Sequence, residues 1–308
     1  MDENSNTIEF TVADQGERLD KLVVDYMSEL SRVQVQTLIK EGGVTVDGQV
    51  VKPGIKLRGG EVVRIHLPEV DEPDAEPEAE AIKLNVIYED EHIAVIDKSA
   101  GMVVHPGVGN KSGTLVNALL ARYPQLADMD DAEERNGIVH RLDKDTSGLM
   151  VVAKTVDALD DLMAQFRLRT VEKVYLALLE RTPKTLTGRI DAPIARDPKQ
   201  RKRMAVVRSG KPAVTEFTVL DDNFRDQRAL VEFRILTGRT HQIRVHAAFI
   251  GCPVVGDTIY GFRKQRLKLK RNFLHAARLS FDHPDTGERV QFESDLPVGL
   301  KQIMLKVR

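Results

Sequence analysis

The run PEVDEPDAEPEAEA (68–81) constrains this chain more than any other feature, because it cannot belong to a packed core. It holds three prolines and seven acids, and its apolar residues are mostly small. Such a segment buries too little apolar surface to offset the entropy of ordering, so residues 68–82 read as a flexible, self-repelling linker. The chain then divides into two folding segments, roughly 18–67 and 83–308. A length of 308 residues is enough for a small and a large domain, each with its own core.

Charge has to be read against the same division. The formal value of −2 looks wrong for a nucleic-acid binder. Residues 1–17 carry five acids and residues 69–82 seven, with no Lys or Arg in either stretch, and setting these twelve aside brings the remainder to +10. The globular parts are therefore basic, which permits phosphate binding without requiring it. A lone cysteine, Cys252, excludes an intrachain disulfide. The start MDENSNTIEF lacks the basic and apolar regions of a secretory signal, and no apolar run approaches a membrane span. A cytoplasmic monomer is the expectation.

In the small segment, Arg18 to Leu30 places Leu19, Leu22, Val23, Tyr26, Met27 and Leu30 on one helical face. Ser31 with Gln34 fits a capping box opening a second helix that ends at Gly42-Gly43. In VTVDGQVV, Asp47-Gly48 is a hairpin signal. The blocks RLDKLV, SRVQVQTLIKEGGVTVDGQVV and GGEVVRIHLP resemble the small RNA-binding domain of the S-four type. That resemblance implies RNA contacts at Arg18, Lys21, Arg32 and Lys40; a solvated helical face is the alternative.

The large segment has closely spaced β-like runs (NVIYE, IAVIDK, GLMVVAK, KVYLALL, ALVEFRIL) and a few helical ones (TLVNALLARY, VDALDDLMAQF). Without regular strand–helix alternation, this predicts an α+β domain with a mixed, mostly antiparallel sheet. In GIVHRLDKDTSGLMVVAK (137–154), Ile138 and Val139 read as the end of a strand, and Gly148 opens the next. Asp143 thus falls where a sheet meets a loop, a rigid mount with solvent access. Taken alone, an Asp before Lys-Asp-Thr-Ser-Gly is an ordinary turn former.

Seven blocks occur in the order that resembles the RluA/RluD family of pseudouridine synthases: VVHPG (103–107), HRLDKDTSGLMVVAK (140–154), EKVYLAL (172–178), RDPKQRKRMAV (196–206), TGRTHQIRVHAA (237–248), PVVGDTIYG (253–261) and LHAARLSFDHPDTGE (274–288). One local departure is Cys252, where the family commonly has His; it touches nothing catalytic. The resemblance implies isomerisation of uridines in structured RNA, with large-subunit ribosomal RNA the expected substrate, and one essential aspartate at Asp143. A carboxylate suits breakage of the N1–C1′ bond because it can act as nucleophile or as base at the sugar. The reaction needs neither a redox step nor a metal-activated water, so no cofactor is implied.

The resemblance further implies an arginine holding that aspartate, at Arg244, with Arg239 as competitor; a phosphate contact or a strand-face charge is the plain alternative for either. It also implies a tyrosine stacking on the base and assisting proton removal at C5, at Tyr175, which would otherwise read as a half-buried core aromatic. Arg141 falls at the position that fills the space left by a flipped nucleotide, or else contacts phosphate only. Two basic runs, RDPKQRKR (196–203, with Arg201, Lys202 and Arg203) and RKQRLKLKR (263–271), read as backbone-tracking loops. His241, His246, His275, Asp257 and Cys252 match no compact metal-ligand spacing, so no metal site is expected. A non-catalytic RNA-binding protein on the same fold and a base-releasing RNA glycosidase are the competing functions.

Overall fold

The computed structural model describes all residues except 1–6, 13–14, 28–31, 67–76, 108–109, 130–134, 199, 201–202, 263, 266 and 268, and omits the side chains of 32–34. The chain forms two compact units, Met1–Glu76 and Pro77–Arg308.

The smaller unit runs β1 (Thr7–Thr11), α1 (Leu19–Tyr26), α2 (Arg32–Lys40), β2 (Val44–Val46), β3 (Gln49–Val50) and β4 (Val62–His66). Its strands lie in the order β1-β4-β2-β3, all antiparallel. Leu19 and Val23 of α1 and Val35 and Ile39 of α2 meet Val44, Val63 and Ile65 in its core. Asp47 and Gly48 both have positive φ (49° and 78°), the conformation a tight two-residue hairpin turn requires. β1 precedes the expected start of the domain at residue 18, and α1 ends at Tyr26. Tyr26 does not join the core face: it is exposed and stacks on Phe10 of β1, with ring centroids 3.8 Å apart. The Ser31–Gln34 capping box lies outside the described residues.

The larger unit contains β5 (Val86–Glu89), β6 (Ile93–Lys98), α3 (Leu115–Arg122), β7 (Ser147–Ala153), α4 (Val156–Leu168), β8 (Glu172–Leu179), β9 (Thr187–Asp191), β10 (Ile194–Arg196), β11 (Met204–Val206), β12 (Val214–Asp221), β13 (Ala229–Ile235), α5 (Gln242–Phe249), β14 (Leu274–Asp282), β15 (Arg289–Glu293) and α6 (Val298–Val307). Residues 77–82, read above as linker, sit with this unit. Asn117 of α3 donates to Glu78 O and accepts at its own carbonyl from Glu80 N, and the Glu80 carboxylate accepts from Gly113 N. Such backbone anchoring leaves no trace in composition.

The main sheet has the order β5-β6-β7-β14-β8-β13-β12-β9, with β15 also on β14. Every described pair is antiparallel except β7–β14. β6 and β7 are buried on both faces, which explains their nearly continuous apolar sequences. Leu149 and Val151 pack with Leu159 and Leu162 of α4, whereas Met150 and Val152 share a core with Leu115 and Leu119 of α3. Ile138 and Val139 form no strand; Ile138 makes only an isolated bridge to Val152. Two apolar residues entering a buried sheet look like a strand end whether or not a ladder forms. α5, which was not foreseen, follows β13.

The β7–β14 pairing is short, joining Ser147 with His275 and Gly148 with Ala276, before β15 takes over that edge of β14. Gly148 has φ +120°, and a Cβ there would lie 2.3 Å from Ala276 O and 2.5 Å from Ala276 N. Gly148→Ala is therefore expected to destabilise the protein by about 3 kcal/mol or more, through backbone strain and displacement of β14 together. Gly299→Ala, where a Cβ meets nothing within 4 Å, should be neutral or slightly stabilising. Denaturant unfolding of both variants measures the contrast.

Candidate active site

Asp143 sits in the extended segment leading into β7, in a turn closed by Thr146 N donating to Asp143 O at 3.1 Å. Lys98, at the end of β6, braces this turn from beneath: its Nζ donates to Ser99 O (2.9 Å), Met102 O (2.9 Å) and Lys144 O (3.3 Å). Burial, followed by the charge of Arg271, lowers the Lys98 ammonium to about 8.

The facing wall is the start of α5. Gln242 fixes it: Oε1 accepts from Thr237 Oγ1 (2.7 Å) and Arg239 N (3.0 Å), while Nε2 donates to Val214 O and Thr215 Oγ1, both at 2.9 Å. His241 caps the helix in the left-handed region at φ 58°. Its Nδ1 lies 2.8 Å from the Tyr260 hydroxyl, which accepts from Met204 N at 2.8 Å. Burial keeps His241 neutral although Asp143 lies nearby.

From this helix Arg244 reaches two carboxylates at once. Its Nε and Nη2 donate to Asp257 Oδ2 (2.7 Å) and Oδ1 (3.1 Å), and its Nη1 donates to Asp143 Oδ2 (3.0 Å). Asp257 is itself fixed, accepting from Ile259 N (2.9 Å) and Tyr260 N (3.0 Å) at Oδ1. The Tyr260 ring covers the guanidinium, 5.1 Å from Cζ to centroid. Burial works against the charge of Arg244, but the bonds and charges of Asp257 and Asp143 outweigh it and raise its pKa. Arg244 in turn overcomes the burial of Asp257 and keeps that carboxyl below the usual range. Asp143 Oδ1, by contrast, accepts no hydrogen bond from a described residue, and this oxygen remains available for chemistry.

Asp143, Arg244, Tyr175, Arg141 and Arg239 line one cleft of about 90 Å³. Tyr175 projects from β8 and is largely buried; burial and then the Asp143 charge raise its pKa, so the phenol carries its proton. Such a ring can stack or donate, and it is no phenolate base at neutral pH. Arg239 does not touch Asp143: its Nε donates to Pro212 O at 3.0 Å. Arg141 is exposed at the rim.

The other expected contacts fare differently. Arg18 is engaged by buried Asp20, Nε to Oδ1 at 2.9 Å and Nη2 to Oδ2 at 3.0 Å, and Lys21 lies 4.0 Å from Glu17. Lys40 lines an apolar groove with Val50 and Ile55. The Arg32 side chain and all of Arg201 and Lys202 lie outside the described residues. Arg203 lies over the Tyr260 ring, Cζ 5.2 Å from its centroid. The five residues weighed as metal ligands are dispersed among other partners, and among the described residues no group of three or more candidate ligands forms.

Asp257, weighed in the sequence only as a metal ligand, and Tyr260, not singled out there, set the geometry of Arg244. The one available signal was their place in the block PVVGDTIYG.

The sequence pattern of the RNA pseudouridylate synthase family matches residues 92–249, and that of the S4 domain matches residues 17–63. The chain belongs to the RNA pseudouridylate synthase family, and the S4 domain precedes its synthase domain. It is 47% identical over 307 residues to an uncharacterised RNA pseudouridine synthase of Aquifex aeolicus, covering 97% of this chain and 96% of that one. It is 44% identical to the ribosomal large subunit pseudouridine synthase D of Nitrosomonas europaea, covering 99% and 89%. Among solved structures, human RNA pseudouridylate synthase domain containing 1 aligns with a TM-score of 0.57 at 29% identity, covering 70% of this chain and 85% of that one.

Because Arg244 alone among the described residues donates a hydrogen bond to the Asp143 carboxylate, Arg244→Met should lower the single-turnover rate by roughly a hundredfold or more, about 2.7 kcal/mol. Arg239→Met is expected to act mainly on RNA affinity. Asp257→Asn should resemble Arg244→Met, since one amide nitrogen would then face the guanidinium. A larger catalytic loss in Arg239→Met than in Arg244→Met would reverse the assignment.

Proposed function

We propose that this pseudouridine synthase isomerises specific uridines in structured RNA, namely large-subunit ribosomal RNA, with Asp143 as its catalytic carboxylate. The observation that carries this reading is the Asp143 carboxylate, bonded through Oδ2 to Arg244 with Oδ1 free, in a cleft walled by Tyr175. The uridine leaves its stack, at a cost of a few kcal/mol, and Arg141 at the rim is placed to occupy the vacated space. Its base lies against Tyr175, and its sugar meets Asp143. The N1–C1′ bond breaks as the carboxylate engages the sugar, the base turns, and C5 bonds C1′ while the C5 proton leaves and N1 gains one. No atom is added or lost, so no co-reactant is required. Arg244 keeps Asp143 aimed throughout. The ribosomal assignment draws on the names of the Nitrosomonas europaea relative and of a 46% identical Pseudomonas aeruginosa relative.

Asp143→Asn is nearly isosteric but carries no anion, and it should abolish pseudouridine formation while leaving RNA binding and the fold intact. Retention of activity within about tenfold, roughly 1.4 kcal/mol, would exclude the assignment. Mapping pseudouridines at single-nucleotide resolution in cells with and without the gene identifies the substrate. Product analysis separates rearranged uridine from unchanged RNA and from an abasic site.

We assign the smaller unit a tethering role, since all proposed catalytic residues lie in Pro77–Arg308. Deleting residues 1–76, which spares the anchored Glu78 and Glu80, is expected to weaken RNA binding and its salt dependence. The saturating single-turnover rate should stay within about tenfold of the full chain. A fall beyond about a hundredfold in a folded, RNA-binding truncation would give the smaller unit a part in the active site.

A further inference from the structure

A second cavity, of about 350 Å³, opens on the far side of Tyr175 from Asp143, between the end of α4 and the start of β8. Its walls include Arg141, Arg167, Arg169, Lys173 and Arg239, and no Asp or Glu. None of these five forms an ion pair with a described carboxylate. Other arginines of this unit are paired: Arg122 with Glu89, Arg234 with Glu172 and Glu216, and Arg289 with Asp282.

Lys173 sharpens the case. It is only 8% exposed, yet its Nζ donates to one carbonyl, Val171 O at 3.1 Å, and otherwise lies 5.2 Å over the Phe166 ring. Two of its three protons therefore lack a partner among the described residues. Burial, then the charge of Arg234, brings this ammonium down to about 8. A buried cation left so under-satisfied is costly unless an anion completes it. Neighbouring His140 cannot add charge: its Nε2 accepts from Val151 N at 3.0 Å, and burial lowers its pKa to about 3. Two of the last α4 carbonyls are already used, Gln165 O by Thr170 N and Phe166 O by Arg169 N.

We propose that this cavity binds a phosphodiester flanking the target uridine, with Arg167, Arg169 and Lys173 as its dedicated ligands. The inference rests on the function proposed above. Arg141, Tyr175 and Arg239 line both this cavity and the Asp143 cleft, so the two adjoin. A nucleotide seated against Tyr175 must carry its backbone out past one of these walls. Here it meets five cations, two of them forked guanidinium groups on the exposed end of α4.

The test is a thermodynamic cycle on an RNA in which wild-type protein forms pseudouridine at a mapped uridine. The phosphodiester on either side of that uridine is replaced, one at a time, by a neutral methylphosphonate. Wild-type protein should bind one of the two replaced RNAs about tenfold more weakly. The exposed double variant Arg167→Gln/Arg169→Gln should bind unmodified RNA about tenfold more weakly and lose nothing further on that same replacement. Its salt slope should fall by about 0.8, and its saturating rate should stay within about threefold of wild type. If the losses multiply at both linkages, or the variant binds as wild type does, the cavity takes no flanking phosphate. If wild-type protein modifies no RNA, the proposed function fails instead.

Discussion

The structure depends on the clamp in which Arg244 is held by Asp257 and in turn holds Asp143. A guanidinium this far from water is tolerated only with its donors satisfied. Asp257 takes two of those donors and is locked by the amides of Ile259 and Tyr260, so it cannot follow Arg244 elsewhere. The remaining Nη1 then has one direction, toward Asp143 Oδ2. Fixing the partner leaves the Asp143 carboxylate with one anchored oxygen and one without a hydrogen bond from a described residue. A looser arginine would permit bidentate pairing and occupy both.

Holding that geometry falls to the sheet around β7. Its parallel contact with β14 is closed by polar groups as well as by Gly148. Arg271 Nη2 donates to Ser147 Oγ at 3.0 Å, and Ser147 Oγ lies 2.9 Å from His275 Nδ1. Since burial keeps His275 neutral and its Nε2 faces Ser294 O at 3.1 Å, Nε2 carries the proton and Ser147 donates to Nδ1. Every group in that chain has one role, so the strand that follows Asp143 is pinned within four residues of it. Lys98 pins the turn from the other side through Lys144 O.

Much of this was legible in the sequence, for identifiable reasons. The strands β6, β7 and β8 announce themselves because two-sided burial demands apolar runs, β13 because its inward residues alternate, and Asp47-Gly48 because few other pairs tolerate two positive φ values. α5 was hidden because Gln242, Arg244 and His246 are all buried. Polar side chains on the inward face erase the amphipathic period by which a helix is recognised. Asp143 was legible as a residue at a sheet–loop junction, but its role came only from family resemblance, and so did Arg244. Asp257 and Tyr260 act through contacts 13 and more residues away in the chain, which no local pattern encodes. The cations of α4 went unread because each looks like ordinary helix-surface charge until Lys173 places them around a shared cavity.

The charge layout also resolves a conflict inherent in this chemistry. An enzyme acting on a polyanion must bring phosphates close to an ionised carboxylate. At about 6 Å and an effective dielectric near 20, that repulsion is about 3 kcal/mol per phosphate. Cations placed around the cleft oppose the repulsion without touching the free oxygen: Arg244 on one side of Asp143, Arg141 and Arg239 at the rim, and the α4 group beyond Tyr175. Twelve of the acids lie in residues 1–17 and 69–82, so the remainder of a chain with a formal charge of −2 carries +10, a balance suited to a polyanionic substrate.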